Sequence, residues 1–172
     1  GATPALDVAA AERLRASPKE RAENVMIVDL LRNDLSRIAE PHTVRVPELF
    51  HTQALPTVWQ MTSDVQARTR SGLRLPDVFA ALFPCGSVTG APKVRAMQLT
   101  RELERQPRGV YCGAIGVVRP DGNGGIAATF NVPIRTVVTR GTQARCSIGS
   151  GITASAEAGA EWQEWLLSLI PL

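Results

Sequence analysis

With 172 residues, 44% of them hydrophobic and 20% charged, the chain can bury a sizeable core and has the balance of a globular protein, not of a fibrous or disordered one. The formal net charge of +3 is carried by dispersed basic residues and only 5% of residues are aromatic, which argues against a nucleic-acid surface. No apolar run nears the roughly 20 residues needed to span a bilayer and no signal-peptide pattern opens the chain, so a cytoplasmic protein without a membrane partner is expected.

Residues 1–16 are rich in alanine and polar residues and carry no firm periodicity. Ser17-Pro18-Lys19-Glu20 is a capping box with proline at the first helical position, and announces a helix. Val25, Ile27, Val28, Leu30, Leu31, Leu35 and Ile38 give it a broad apolar surface, and Pro41 ends it. Residues 42–46 and 55–69 read as strands, and 76–83 as a short helix. A helix is expected over about 91–104, with Thr89 as its N-cap and Pro92 in its first turn. Strands follow at 110–118, 126–138 and 144–148, separated by Pro120-Asp121-Gly122-Asn123-Gly124 and Arg140-Gly141-Thr142, as an antiparallel meander. Pro133 marks an edge or bulge in it. A last helix over 156–169 carries Glu157, Glu161 and Glu164 on one face. This order predicts an α+β fold, with antiparallel or mixed sheets covered by helices, in a single unit over 1–172. Arg68, Arg70 and Arg74, and likewise Arg101, Arg105 and Arg108, read as solvated rims. Cys85, Cys112 and Cys146 share no metal-ligand spacing and read as reduced thiols.

Two features suggest chemistry. Residues 84–97, Pro-Cys-Gly-Ser-Val-Thr-Gly-Ala-Pro-Lys-Val-Arg-Ala-Met, put two glycines, two hydroxyls and a lysine on a turn that opens into a helix, where unpaired amides and the peptide dipoles favour an anion. A plain capped loop is the alternative; a nucleotide P-loop is not, because Lys93 follows Gly90 by three positions. Secondly, convergence of the helices bearing Glu23 and the Glu161/Glu164 pair would create a carboxylate cluster that needs a cation, and all-oxygen ligation favours Mg²⁺. Glutamates three apart near a helix start also suit a solvated face.

Residues 19–38, the Gly-Ser-Val-Thr-Gly-Ala-Pro-Lys turn, Val-Tyr-Cys-Gly-Ala-Ile-Gly at 110–116, Pro-Ile-Arg-Thr at 133–136 and Gly-Ser-Gly-Ile at 149–152 resemble, in order, the chorismate-binding enzymes. Within that family the wording looks most like component I of aminodeoxychorismate synthase. Anthranilate synthase component I is the near neighbour, though it more often has Glu-His where this chain has Glu23-Asn24 and Tyr-Gly-Gly where it has Tyr111-Cys112-Gly113. The resemblance implies two packed sheets with helices outside, of which this chain would be the C-terminal greater part, incomplete at the N-terminus. It implies Mg²⁺ as cofactor, held by Glu23 and Glu164 with Glu161 as a third acidic position; these three are the implied catalytic residues. Chorismate is a dianion with a ring hydroxyl. Arg135 would fork one of its carboxylates, and Tyr111, Ser87 and the backbone around Gly149 and Gly151 match other substrate positions. Lys93 would orient the turn or pair with an acidic neighbour.

The implied reaction is amination of chorismate to 4-amino-4-deoxychorismate for para-aminobenzoate and folate synthesis, with ammonia from a glutamine amidotransferase subunit or domain. Three departures bear on it. Gln60 stands where anthranilate synthases have a histidine, Ser168 stands four residues after Glu164 where the family often has lysine, and the nucleophilic lysine of the family's Pro-Ile-Lys-Gly-Thr motif is not among these residues. The first favours C4 amination. The last implies that the 172 residues alone are inactive. The rival readings are anthranilate synthase, with amination at C2 and loss of pyruvate, and a noncatalytic anion-binding module.

Overall fold

The computed structural model describes residues 3–56, 58–152 and 156–168, with the side chains of residues 4, 164, 167 and 168 outside that description. The chain divides into two compact units, 1–87 and 88–172.

The first unit opens with α1 (Pro4–Ala16), in the stretch where the sequence has no helical periodicity. Its start is set by local chemistry: Thr3 accepts a hydrogen bond from the Leu6 amide and Pro4 occupies the first position. The capping signal at Ser17 is realised in α2 (Pro18–Ser36), where the Ser17 hydroxyl accepts from the Glu20 amide. That helix ends five residues before Pro41. The chain then turns so that Glu40 N–H and Arg70 N–H donate to the carbonyls of Arg68 and Ile38, and Ala39 bridges Thr69.

Strands β1 (Arg45–Ala54) and β2 (Trp59–Gln66) pair antiparallel from Arg45↔Gln66 to Ala54↔Trp59, so β1 is longer and β2 shorter than the sequence suggests. The register slips twice between Arg45 and His51, and Phe50 adopts φ +59° within the second slip. The Ser63 hydroxyl accepts from the Phe50 amide at 2.9 Å and donates to Asn24 Oδ1 at 2.6 Å, which ties the irregular strand to α2. Both α1 and α2 pack on this hairpin, and α2 also packs on α3 (Leu75–Leu82). Ala11, Val28, Ile38, Ala39 and Ala81 form the buried core between them.

The short helix α4 (Gly86–Thr89) lies at the division between the units. In the second unit α5 (Lys93–Leu103) precedes two antiparallel hairpins, β3 (Ile115–Pro120) with β4 (Ile126–Asn131) and β5 (Val137–Arg140) with β6 (Gln143–Cys146), before α6 (Ala158–Ser168). The expected continuous meander is therefore corrected: among the described residues β4 and β5 do not pair, and the strand expected over 126–138 breaks at 132–136 around Pro133, which lacks an amide to donate. Cross-strand pairs put Ile115 and Val117 on one face of the β3–β4 hairpin and Val118, Ile126 and Phe130 on the other, all of them exposed. The fold is α+β with small antiparallel sheets, as expected. No helix among the described residues is long and apolar enough to cross a membrane.

Candidate functional site

The turn expected to seat an anion is built differently from its sequence reading. Thr89 does not cap the following helix; it closes α4. Gly90 then takes φ +109°, a conformation open to glycine, and Pro92 occupies the N-cap of α5 with no side-chain cap bond. Gly86, the first residue of α4, is buried against Leu30 of α2: a Cβ at Gly86 would lie 1.9 Å from Leu30 Cδ2. Ser87 is exposed, its hydroxyl 3.2 Å from Cys85 Sγ. Lys93 opens α5 and is half-buried.

Arg108, expected on a solvated rim, is instead the centre of a small polar network, and its side chain is only 27% exposed. Its Nε and Nη2 donate to the Glu104 carboxylate at 2.7–3.1 Å, Nη1 donates to the Val88 carbonyl at 2.7 Å, and the guanidinium carbon stands 5.9 Å from the centre of the Tyr111 ring. Hydrogen bonding to Arg108 holds the Glu104 carboxyl below the usual range, and hydrogen bonding to Glu104 raises Arg108. Burial, with the neighbouring Cys112 thiol, pushes the Tyr111 phenol up.

Tyr111 faces the glycine segment that follows β6. A Cβ added at Gly149 would stand 2.9 Å from Tyr111 Oη, whereas one at Gly151 would meet nothing within 4 Å. Between them, the Ser150 hydroxyl accepts from Trp165 Nε1 at 2.8 Å and donates to Glu161 Oε2. Because an indole N–H only donates, the Ser150 proton is directed to the carboxylate. Glu161 in the first turn of α6 is thus held against the glycine segment by a residue pair, Ser150 and Trp165, that sequence reasoning did not single out.

Two residues, Cys112 and Arg135, hold strained backbone conformations. Cys112 has φ +59° and Arg135 φ +50°, and the Cys112 amide donates to the Pro133 carbonyl at 2.9 Å, joining their two segments. Arg135 is exposed and makes no hydrogen bond or ion pair among the described residues.

Of the acidic residues, Glu23 lies on α2 with its side chain 46% exposed, 3.9 Å from Lys19 Nζ. Such a pair contributes a few tenths of a kcal/mol, about what exposed i,i+4 pairs give. Glu164 lies on α6, and its side chain is outside the described residues. Among the described residues no three His, Cys, Asp or Glu side chains gather as a metal centre. Glu161, a hard oxygen donor in a directed hydrogen bond, has the chemistry that Mg²⁺ takes. The second unit thus brings Tyr111, Gly149 and Glu161 into one connected set, through Ser150.

A model of the chorismate-binding enzymes matches residues 1–171. The chain belongs to the chorismate-binding enzyme family. It is 48% identical over 163 residues to aminodeoxychorismate synthase component 1 of Klebsiella aerogenes, covering 95% of this chain and 35% of that protein. Anthranilate synthase component 1 of Streptomyces coelicolor is 42% identical, over 95% of this chain and 31% of its own length. Among solved structures, anthranilate synthase component I from Streptococcus pneumoniae superposes with a TM-score of 0.86 at 37% identity, covering 96% of this chain and 37% of that one. The chain therefore spans about a third of the length of these chorismate-binding relatives, not the greater part that the resemblance implied.

Proposed function

We propose that the chain is the C-terminal part of an aminodeoxychorismate synthase component I, a transferase that makes 4-amino-4-deoxychorismate for para-aminobenzoate and folate synthesis. The observation that carries this reading is the 45–48% identity, over at least 94% of the chain, to three bacterial proteins of that name. Gln60, which offers no titrating group near neutral pH, supports amination at C4 over the anthranilate route.

In the proposed reaction the C4–O bond of chorismate breaks, a C4–N bond forms from ammonia, and the hydroxyl leaves with the displaced proton as water. Arg135, exposed and unneutralised among the described residues, suits a forked bond to a substrate carboxylate. Tyr111 presents a phenol hydroxyl that is a donor at neutral pH, and burial favours its protonated form further. Ser87, with Lys93 orienting its turn, adds a further donor. The open backbone at Gly149 and Gly151 gives a carboxylate access to amides. Glu161 and Glu164 would hold Mg²⁺, which supplies Lewis-acid polarisation of the leaving oxygen. Ammonia would come from a glutamine amidotransferase partner, and the cytoplasm is the proposed location. The 172 residues alone should not turn over, because the lysine nucleophile of the Pro-Ile-Lys-Gly-Thr motif is not among them.

The likeness to anthranilate synthase component I, in sequence and at a TM-score of 0.86, favours a second reading: amination at C2 with loss of pyruvate. Product analysis by mass spectrometry separates the two. The chain extended upstream through the lysine motif and supplied with chorismate, Mg²⁺ and ammonium should give 4-amino-4-deoxychorismate, and anthranilate with pyruvate would overturn the assignment.

A further inference from the structure

Arg108 engages three partners in three directions. The Glu104 carboxylate takes Nε and Nη2, which fixes the plane of the guanidinium; Nη1 is then directed to the Val88 carbonyl in α4, and one face is left over the Tyr111 ring. Glu104 itself is placed by the end of α5, where it is the C-cap and its amide donates to Thr100. Tyr111 in turn carries its hydroxyl to Gly149, so within the second unit one cation joins the Val88 carbonyl to the ring that reaches the glycine segment. A lysine could supply the charge but not three directed contacts.

We propose that Arg108 is a positioning residue for chorismate binding, holding the Tyr111 ring in a fixed relation to the Val88 carbonyl so that the Tyr111 hydroxyl is presented to the anionic ligand. The inference rests on the chorismate-site reading above. Arg108 acts through Val88 and Tyr111 and does not itself touch the ligand.

Tyr111 is the sole tyrosine of the chain, so a tyrosine labelled with ¹³C at Cζ gives one resonance that reports on this site without turnover. The charged and titratable groups acting on the phenol are Cys112, Arg108 and Glu104, and of these Arg108 favours ionisation. Arg108→Met keeps the apolar cover but removes the charge and the fork. Its phenol should therefore titrate higher than in the parent chain, and the backbone amide signals of Val88, Thr89 and Gly90 should move. Arg108→Lys should bring the phenol titration back toward the parent while leaving those amide signals displaced. Glu104→Gln, which retains Arg108 but loosens its fork, should displace the same amide signals. An Arg108→Met chain with unchanged phenol titration and unchanged 88–90 amides overturns the proposal, as does full recovery of both by Arg108→Lys. Chorismate added to the labelled parent chain reports separately on the underlying reading: a tyrosine signal indifferent to saturating chorismate sinks the ligand assignment, whereas the Arg108 variants decide the link between the turn and Tyr111.

Discussion

Replacing Gly86 with alanine places a methyl group where the structure has no room. Its Cβ would stand 1.9 Å from Leu30 Cδ2 and 2.8 Å from Cγ. The Cδ2 end can swing aside, but Cγ moves only with χ1 or with a shift of the turn away from α2. Overpacking of this kind costs about 1–3 kcal/mol, and alanine's preference over glycine in a helical residue returns roughly 0.5–1 kcal/mol. The net loss should be about 1 kcal/mol and at most about 2.5 kcal/mol, which at this chain length lowers the thermal midpoint by roughly 2–4 °C per kcal/mol. Thermal unfolding followed by circular dichroism measures it. Leu30→Ala, made in both backgrounds, opens space for the new methyl, so the double mutant should be more stable than the sum of the single losses predicts, by about 0.5 kcal/mol or more. Gly151→Ala is the control, since its Cβ meets nothing within 4 Å. A Gly86→Ala chain as stable as the parent, or strictly additive losses with Leu30→Ala, would refute the argument that Gly86 is required by the approach of α2.

Three further outcomes follow from the second unit. The folded-state pKa of Glu104 is depressed from its ordinary 4.5, so its contribution to stability is complete above that value and is lost as pH falls through the lower folded value; Glu104→Gln should lower the urea midpoint at neutral pH, and the difference from the parent should shrink in acid. Gly149→Ala should displace the Tyr111 ring signal while Gly151→Ala leaves it in place, because only the former puts a methyl 2.9 Å from the phenol oxygen. Trp165→Phe removes the donor that directs the Ser150 proton, and should cost about 0.5–1.5 kcal/mol in urea unfolding; a loss near zero would mean that Ser150 is oriented by something other than Trp165.

The helices that announce themselves by capping chemistry were legible in the sequence, and α2 begins at the residue its serine-proline signal marks. Helix α1 was not, because Ala9, Ala10 and Ala11 give no amphipathic period, and only Ala11 of the three is buried. Thr89 looked like an N-cap from its place before a proline-led helix. A threonine two residues before an Ala-Pro pair can equally end a preceding turn, and the buried Gly86 makes that turn. The strand expected over 126–138 breaks at Pro133, because a residue without an amide can end a ladder as readily as mark its edge or a bulge. Tyr111 and Gly149 enter the candidate site through motif resemblance, and Glu161 through its spacing on a helix as well; that Tyr111 approaches Gly149 and that Ser150 bonds Glu161 comes from the structure alone. Arg108 was hidden by its company: with Arg101 and Arg105, four and three residues apart, it forms a run of basic residues that reads as surface. One signal pointed the other way, namely Glu104 four residues before it across a Pro-Arg-Gly turn, a spacing that brings a carboxylate within reach of a guanidinium.

Arg135 is the proposed anchor for a chorismate carboxylate. Titration calorimetry of chorismate, with and without Mg²⁺, into the parent chain and into Arg135→Lys tests it most directly. Binding should be tighter with Mg²⁺, and the lysine variant, where the charge remains but the fork does not, should lose about 1–3 kcal/mol. Equal affinity in the two chains would return Arg135 to an ordinary surface arginine, and no heat of binding in the parent would contradict the site itself.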